Sequence, residues 1–134
     1  MAAEKNYILD KDAAGKKLLR MAYEILENNY DEAELVLAGI RERGSAIARK
    51  IQEILLGISA IPTRFISVQL DKDMPNEVVL SEKINFDNKV VILVDDVASS
   101  GQTLVYALKP FLAFHPKKIQ MLVLVERSHK LFPV

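Results

Sequence analysis

The feature that most constrains the fold is the run Val90-Val91-Ile92-Leu93-Val94, which passes directly into Asp95-Asp96. A strand that is apolar at every position, not at alternate ones, has no side to give to solvent. It must lie inside a sheet covered on both faces, the setting of a central parallel strand. Parallel strands need crossover connections, most often helices, so the run predicts an α/β chain.

The remaining segments supply those crossovers. Leu18, Leu19, Ala22, Ile25 and Leu26 recur at helical spacing and predict a helix over Asp12 to Asn28, with Asp10 or Asp12 placed to cap its start. Leu35 to Ile40 reads as a buried strand bounded by turn-formers. Arg41-Glu42-Arg43-Gly44 reads as a turn, after which Ser45 opens a second helix with Ile47, Ala48, Ile51, Ile54 and Leu55 on one face, ending near Gly57. Pro62 bars further helix, and Arg64 to Leu70 reads as a strand beside the first. Asp71 to Lys89 is a polar excursion with one small strand at Val78-Val79-Leu80. Helical spacing returns over Ser100 to Phe114, where Pro110 kinks or ends the helix, and Ile119 to Val125 is the last strand. The alternation predicts a mostly parallel central sheet flanked by helices, a Rossmann-like three-layer arrangement built with right-handed crossovers.

Composition then excludes several function classes. At 134 residues the chain reads as a single domain over 1–134, long enough to bury its own core. It has no cysteine, hence no thiol nucleophile and no thiolate metal site. Its apolar runs fall far short of the ~20 residues a spanning helix needs. Met1-Ala-Ala-Glu-Lys-Asn lacks the basic flank and apolar block of an export signal, so the expected location is the cytoplasm, with no membrane partner. Eighteen Lys and Arg balance eighteen Asp and Glu. Zero net charge speaks against a broad electrostatic grip on nucleic acid, so RNA is a partner that the charge does not favour.

The chemistry concentrates after the central strand. In a parallel sheet ligands bind beyond the carboxyl ends of the strands, where each loop meets the next helix. Ser99, Ser100 and Thr103 offer hydroxyls there, Gly101 admits close backbone approach, and free N–H groups with the helix dipole suit a monophosphate. Asp95 and Asp96, adjacent on extended chain, are expected to diverge to opposite sides and not to face each other. One is then available to sugar hydroxyls or a hydrated magnesium ion while the other braces the loop. A cap needs one hydroxyl and a turn one acid. Two acids, three hydroxyls and a glycine in one loop exceed both. Neither GxxxxGK[ST] nor GxGxxG occurs.

The string Asp95-Asp96-Val97-Ala98-Ser99-Ser100-Gly101-Gln102-Thr103 resembles the phosphoribosyl diphosphate (PRPP) motif of type I phosphoribosyltransferases, with Ser100 where the family usually has Thr. Gly39-Ile40-Arg41-Glu42-Arg43-Gly44 is similar to the pyrophosphate loop of the subgroup formed by the bifunctional pyrimidine-operon regulator and uracil phosphoribosyltransferase. Tyr7-Ile8-Leu9-Asp10 and Leu124-Val125-Glu126-Arg127-Ser128-His129 resemble the same subgroup, so the likeness spans nearly the whole chain.

The resemblance implies a magnesium-dependent transfer of the phosphoribosyl group from PRPP to a nucleobase, with uracil the leading choice. Asp95, Asp96 and Arg41 become the candidate catalytic residues. Asp95 and Asp96 would hold the ribose hydroxyls directly or through Mg2+, and Ala98, Ser99, Ser100, Gly101, Gln102 and Thr103 the 5′-phosphate. Arg41, Glu42, Arg43 and Gly44 would hold pyrophosphate, and Arg suits bidentate phosphate contact. Residues 71–88 fall where the family carries a flexible lid. Arg127 and His129 are base-site candidates, while His115 reads as a surface residue of a turn. Ser99 stands where hypoxanthine–guanine enzymes carry an acid, which disfavours purines. The resembled proteins continue into strands of a base-binding hood, so the hood is expected to be incomplete within these 134 residues. A homodimer or larger homo-oligomer is the expected assembly. The alternative is a PRPP- or nucleotide-sensing module that binds RNA or a protein without turnover.

Overall fold

The computed structural model describes residues 11–71, 77–98 and 101–126. Helix α1 (Lys11–Asn29) leads into β1 (Leu35–Ile40), α2 (Arg41–Ile58) and β2 (Thr63–Gln69). A two-residue strand, β3 (Val79–Leu80), precedes β4 (Val90–Ala98), α3 (Gln102–Ala107) and β5 (Lys118–Glu126). The sheet runs β3-β2-β1-β4-β5. β1 is parallel to both β2 and β4, β4 is parallel to β5, and β3 alone is antiparallel, beside the carboxyl end of β2.

The two continuous apolar runs occupy the middle of the sheet, as their composition requires. All six residues of β1 and Val90 to Asp95 of β4 are buried. Alternate side chains feed two cores. Leu35, Leu37, Val90, Ile92 and Val94 meet Leu18, Ala22 and Ile25 of α1 and Ala48, Ile51 and Leu55 of α2. Val36, Ala38, Ile40, Val91 and Leu93 meet Leu104, Ala107 and Phe111 on the α3 side, together with Phe86 from the excursion. The result is three layers, α1 and α2 on one face and α3 with its neighbours on the other.

Three boundaries differ from the sequence expectation. First, α2 begins at Arg41 and not at Ser45, so the expected turn over 41–44 is instead the first turn of a helix joined directly to β1. Second, α3 stops at Ala107, and residues 108–114 continue as successive turns, with Leu108 N–H bonding Val105 O, Lys109 N–H bonding Tyr106 O and Phe111 N–H bonding Leu108 O. Pro110 has no N–H to give and disfavours helical backbone at Lys109. Third, β4 does not end at its aspartates. Val97 pairs with Val125 and Ala98 with Glu126, so β5 carries the strand two residues beyond them.

A polar clasp ties α1 to β5 at the amino end of the sheet. Asn29 is fully buried, and its amide donates to Ile25 O at 2.9 Å and to Gln120 Oε1 at 2.9 Å. Lys118 Nζ donates to Asn29 Oδ1 at 3.0 Å and Asn28 O at 2.8 Å, and Glu32 pairs with Lys117 at 2.7 Å and Lys118 at 3.2 Å. Asn29→Ala strands buried partners and is expected to destabilise the fold by about 1–3 kcal/mol in urea titration. A loss below roughly 0.5 kcal/mol would show the clasp to be dispensable.

Candidate functional site

The strand order turns at β1, which continues through α2 to β2 on one side and receives β4 on the other. Crevices at such switch points, outside the carboxyl ends of the strands, are where open α/β sheets bind ligands. Here the two carboxyl ends lie in register, Gly39 beside Val94. The arginine segment that leaves β1 therefore meets the aspartates that end the buried part of β4.

Two glycines set how close they come. A Cβ on Gly39 would lie 2.4 Å from Ser45 Cα and 2.9 Å from Gly44 O, and one on Gly44 would lie 2.3 Å from Val94 O and 3.3 Å from Asp95 Cα. Only hydrogen fits at either place. Ser45, also buried, donates its hydroxyl to Gly39 O at 3.2 Å. Between these contacts Arg41 adopts φ 59°, left-handed backbone that an arginine enters only when its surroundings force it. Arg41, Glu42 and Arg43 are all exposed. Arg43 Nη1 reaches Asp96 Oδ2 at 3.5 Å, its own side chain remaining 86% exposed.

The aspartates differ in environment yet stay linked. Asp95 is buried and Asp96 partly exposed, in keeping with their opposite directions on a strand. The two carboxyls nonetheless act on each other's titration. Asp95 Oδ1 accepts the Asp96 N–H at 2.8 Å, and Asp96 Oδ1 accepts the Val97 N–H at 2.9 Å. Burial, then the hydrogen bond with Asp96 and its charge, push the Asp95 carboxyl up to about 7, against the opposing pull of the Asp96 N–H and Arg41. Burial also acts to raise Asp96, but the hydrogen bonds from Asp95, the Val97 N–H and Arg43 outweigh it and leave that carboxyl below its usual range. The pair therefore presents one carboxylate, held ionised, braced by one carboxyl that retains its proton to near neutrality.

Beyond β4, Gly101 takes φ 87° and sends the chain into α3, where Gln102 and Thr103 are half-buried in the first turn. Ala98 ends β4. Ser99, Ser100, Arg127 and His129 lie outside the described residues, as do 72–76 of the expected lid; 77–88 are described and carry β3. Sequence reasoning missed Ser45 and the packing role of Gly39. Their signal was the Gly39-x4-Gly44-Ser45 spacing across a strand-to-helix junction, a spacing without meaning until the helix start is known. A cleft of about 530 Å³ lined by Glu77, Val78, Val79, Lys109 and Pro110 lies at the β3 edge, away from the aspartates.

The sequence matches the phosphoribosyl transferase domain family over residues 5–134. It is 37% identical over 144 residues to the bifunctional protein PyrR of Pelotomaculum thermopropionicum, covering 100% of this chain and 80% of that protein. To the bifunctional protein PyrR of Macrococcus caseolyticus it is 39% identical over 140 residues, covering 98% and 80%. Among solved structures, the hypoxanthine–guanine phosphoribosyltransferase of Leishmania tarentolae in complex with GMP superposes with a TM-score of 0.80 at 18% identity, covering 95% of this chain and 74% of that one. The corresponding enzyme of Bacillus anthracis gives a TM-score of 0.76 at 18% identity over 95% and 75%.

Proposed function

Because this chain belongs to the phosphoribosyl transferase domain family, we propose that it transfers the phosphoribosyl group of PRPP to a nucleobase, uracil, and releases pyrophosphate. The observation that carries this reading is the meeting of the Arg41–Arg43 turn with the Asp95–Asp96 pair at one switch point. A cationic turn and an anionic pair side by side suit a ligand that carries a diphosphate next to a ring of hydroxyls.

Each residue has a part in the proposed reaction. Asp96, ionised and partly open, accepts hydrogen bonds from the ribose hydroxyls, while buried Asp95 braces it. Arg41 and Arg43 bind the pyrophosphate, Arg43 moving from Asp96 to the ligand. Ala98 to Thr103 hold the 5′-phosphate. A base nitrogen attacks C1′ as the bond from C1′ to the pyrophosphate oxygen breaks, its electrons leaving with pyrophosphate, and the proton of that nitrogen passes to solvent. Orientation and charge placement carry such a step, so no side chain need form a covalent bond. Closure of the 71–88 excursion would exclude water meanwhile.

The donor set suits magnesium. Among the described residues no group of three or more His, Cys, Asp or Glu forms a protein cage. One or two carboxylates sharing the ion with substrate oxygens is how Mg2+ is usually held; Asp96 would be the ionised one, and Asp95 would join it on giving up its proton. The ion would neutralise charge on the departing pyrophosphate. Among the described residues no helix is long and apolar enough to cross a membrane.

The test is pyrophosphate release from PRPP and MgCl2 with uracil, guanine, hypoxanthine or no base. Release dependent on uracil is the expected result. Release with a purine alone would overturn the choice of base. Absence of release with every base, alongside PRPP binding in calorimetry, would favour the sensing module.

A further inference from the structure

We propose that Gly44 and Ser45 are positioning residues, a clasp that fixes the arginine turn against the aspartate strand and so sets the affinity for pyrophosphate. The inference rests on the phosphoribosyl-transfer reading and gives two buried residues, Gly44 (expected from the sequence to hold pyrophosphate) and Ser45, a role of separation and not of ligand contact.

The left-handed backbone at Arg41 disfavours a residue with a Cβ, so the turn would relax unless held from both sides. On the strand side, Gly44 lies so near the Val94–Asp95 backbone that a methyl there would meet Val94 O at 2.3 Å. The neighbour is backbone of a central strand, paired with β1 and β5, and cannot yield. On the β1 side, Ser45 Oγ donates to the Gly39 carbonyl at 3.2 Å and closes the segment 39–45 on itself. Ser45 is buried, so its hydroxyl meets no ligand directly. Both contacts converge on the segment that carries Arg41 and Arg43, and both reference it to Gly39 and Asp95, the ends of β1 and of the buried part of β4. The distance between the proposed pyrophosphate and ribose contacts is therefore set by the absent Cβ atoms of Gly39 and Gly44 and one hydrogen bond.

Ser45→Ala, Ser45→Thr, Gly44→Ala and Gly57→Ala provide the test, by calorimetry of the full chain with inorganic pyrophosphate plus MgCl2 and, separately, with uridine 5′-monophosphate. Gly57 lies in the same helix with nothing within 4 Å of an added Cβ, so Gly57→Ala controls for a general change in α2. Ser45→Ala should weaken pyrophosphate by about tenfold, the value of one net hydrogen bond of about 1.4 kcal/mol, while uridine 5′-monophosphate stays within about twofold. Ser45→Thr keeps the hydroxyl and should recover most of the loss. Gly44→Ala should weaken pyrophosphate more than Ser45→Ala does, and Gly57→Ala should leave both ligands unchanged. In turnover, Ser45→Ala should raise KM for PRPP more than it lowers kcat. If Gly44→Ala does not fold, the Ser45 pair still decides. Equal weakening of both ligands, or unchanged pyrophosphate binding by Ser45→Ala, overturns the proposal. If the unaltered protein binds neither ligand, the phosphoribosyl-transfer reading fails and this inference falls with it, an outcome distinct from a variant that binds normally.

Discussion

Asp95→Asn is expected to yield a more stable protein at pH 8, by about 2–4 kcal/mol, while Asp96→Asn weakens PRPP about 10- to 100-fold. The direction for Asp95 follows from its carboxyl, which titrates near 3.8 when unfolded and at about 7 in the fold. Below about pH 4 both states hold the proton and nothing is lost. As pH rises through the interval between these values, the unfolded chain releases its proton first, and the native state loses stability relative to it by about 1.4 kcal/mol per unit. Above pH 7 the full penalty stands. The asparagine amide is neutral, can donate to Asp96 in place of the shared proton, and can still accept the Asp96 N–H. The stability difference between variant and parent should therefore be small at pH 4, grow to pH 7 and level off. Thermal denaturation at pH 4.5, 6 and 8 measures it, and a variant no more stable than its parent at pH 8 would refute the buried, proton-holding Asp95. A buried acid kept at a stability cost is the usual mark of a site selected for function.

Phe86→Ala should be among the most damaging single substitutions in the molecule, costing about 3–5 kcal/mol. Phe86 is fully buried and makes edge contacts with Phe111 at 4.8 Å and Phe114 at 5.5 Å between ring centroids. It inserts from the excursion into the core beneath the turns that follow α3, where Val78, Leu80 and Ile84 pack beside it. Truncation removes a large apolar surface, leaves a cavity and forfeits two aromatic pairs. The midpoint temperature should fall by about 10 °C or more. A fall of only a few degrees would mean that this leg of the excursion is not anchored. The consequence is spatial: Val78, Leu80, Ile84 and Phe86 fasten this leg of the excursion to the core.

Much of the fold was legible because burial leaves a mark in composition. The unbroken apolar runs of β1 and β4 announced central strands, and the spacing of Leu18, Ala22 and Ile25 announced α1. What escaped was decided by partners distant in sequence. Val97-Ala98 reads as loop, yet becomes strand because Val125 and Glu126 pair with it. Arg41-Glu42-Arg43-Gly44 reads as a turn, yet enters α2 because Gly39 and Gly44 let the helix start against the sheet. The carboxyl link likewise depends on burial and neighbouring N–H groups, which alternation along a strand does not encode. For the site, the residue types were readable, but their separation was not.

The parallel pairing of β1 with β4 also bears on how the molecule is made. Glu34 and Lys89, 55 positions apart, pair at 3.0 Å where the two strands begin side by side. Closing so long a loop is entropically slow, whereas β1, α2 and β2 are contiguous and can associate first. The nascent chain is thus expected to carry β1 with one apolar edge uncovered until β4 emerges from the ribosome and slots in. Only that late event brings Asp95 to Gly44, so ligand binding should report completion of folding itself, and molecules stalled before it should be the ones that aggregate.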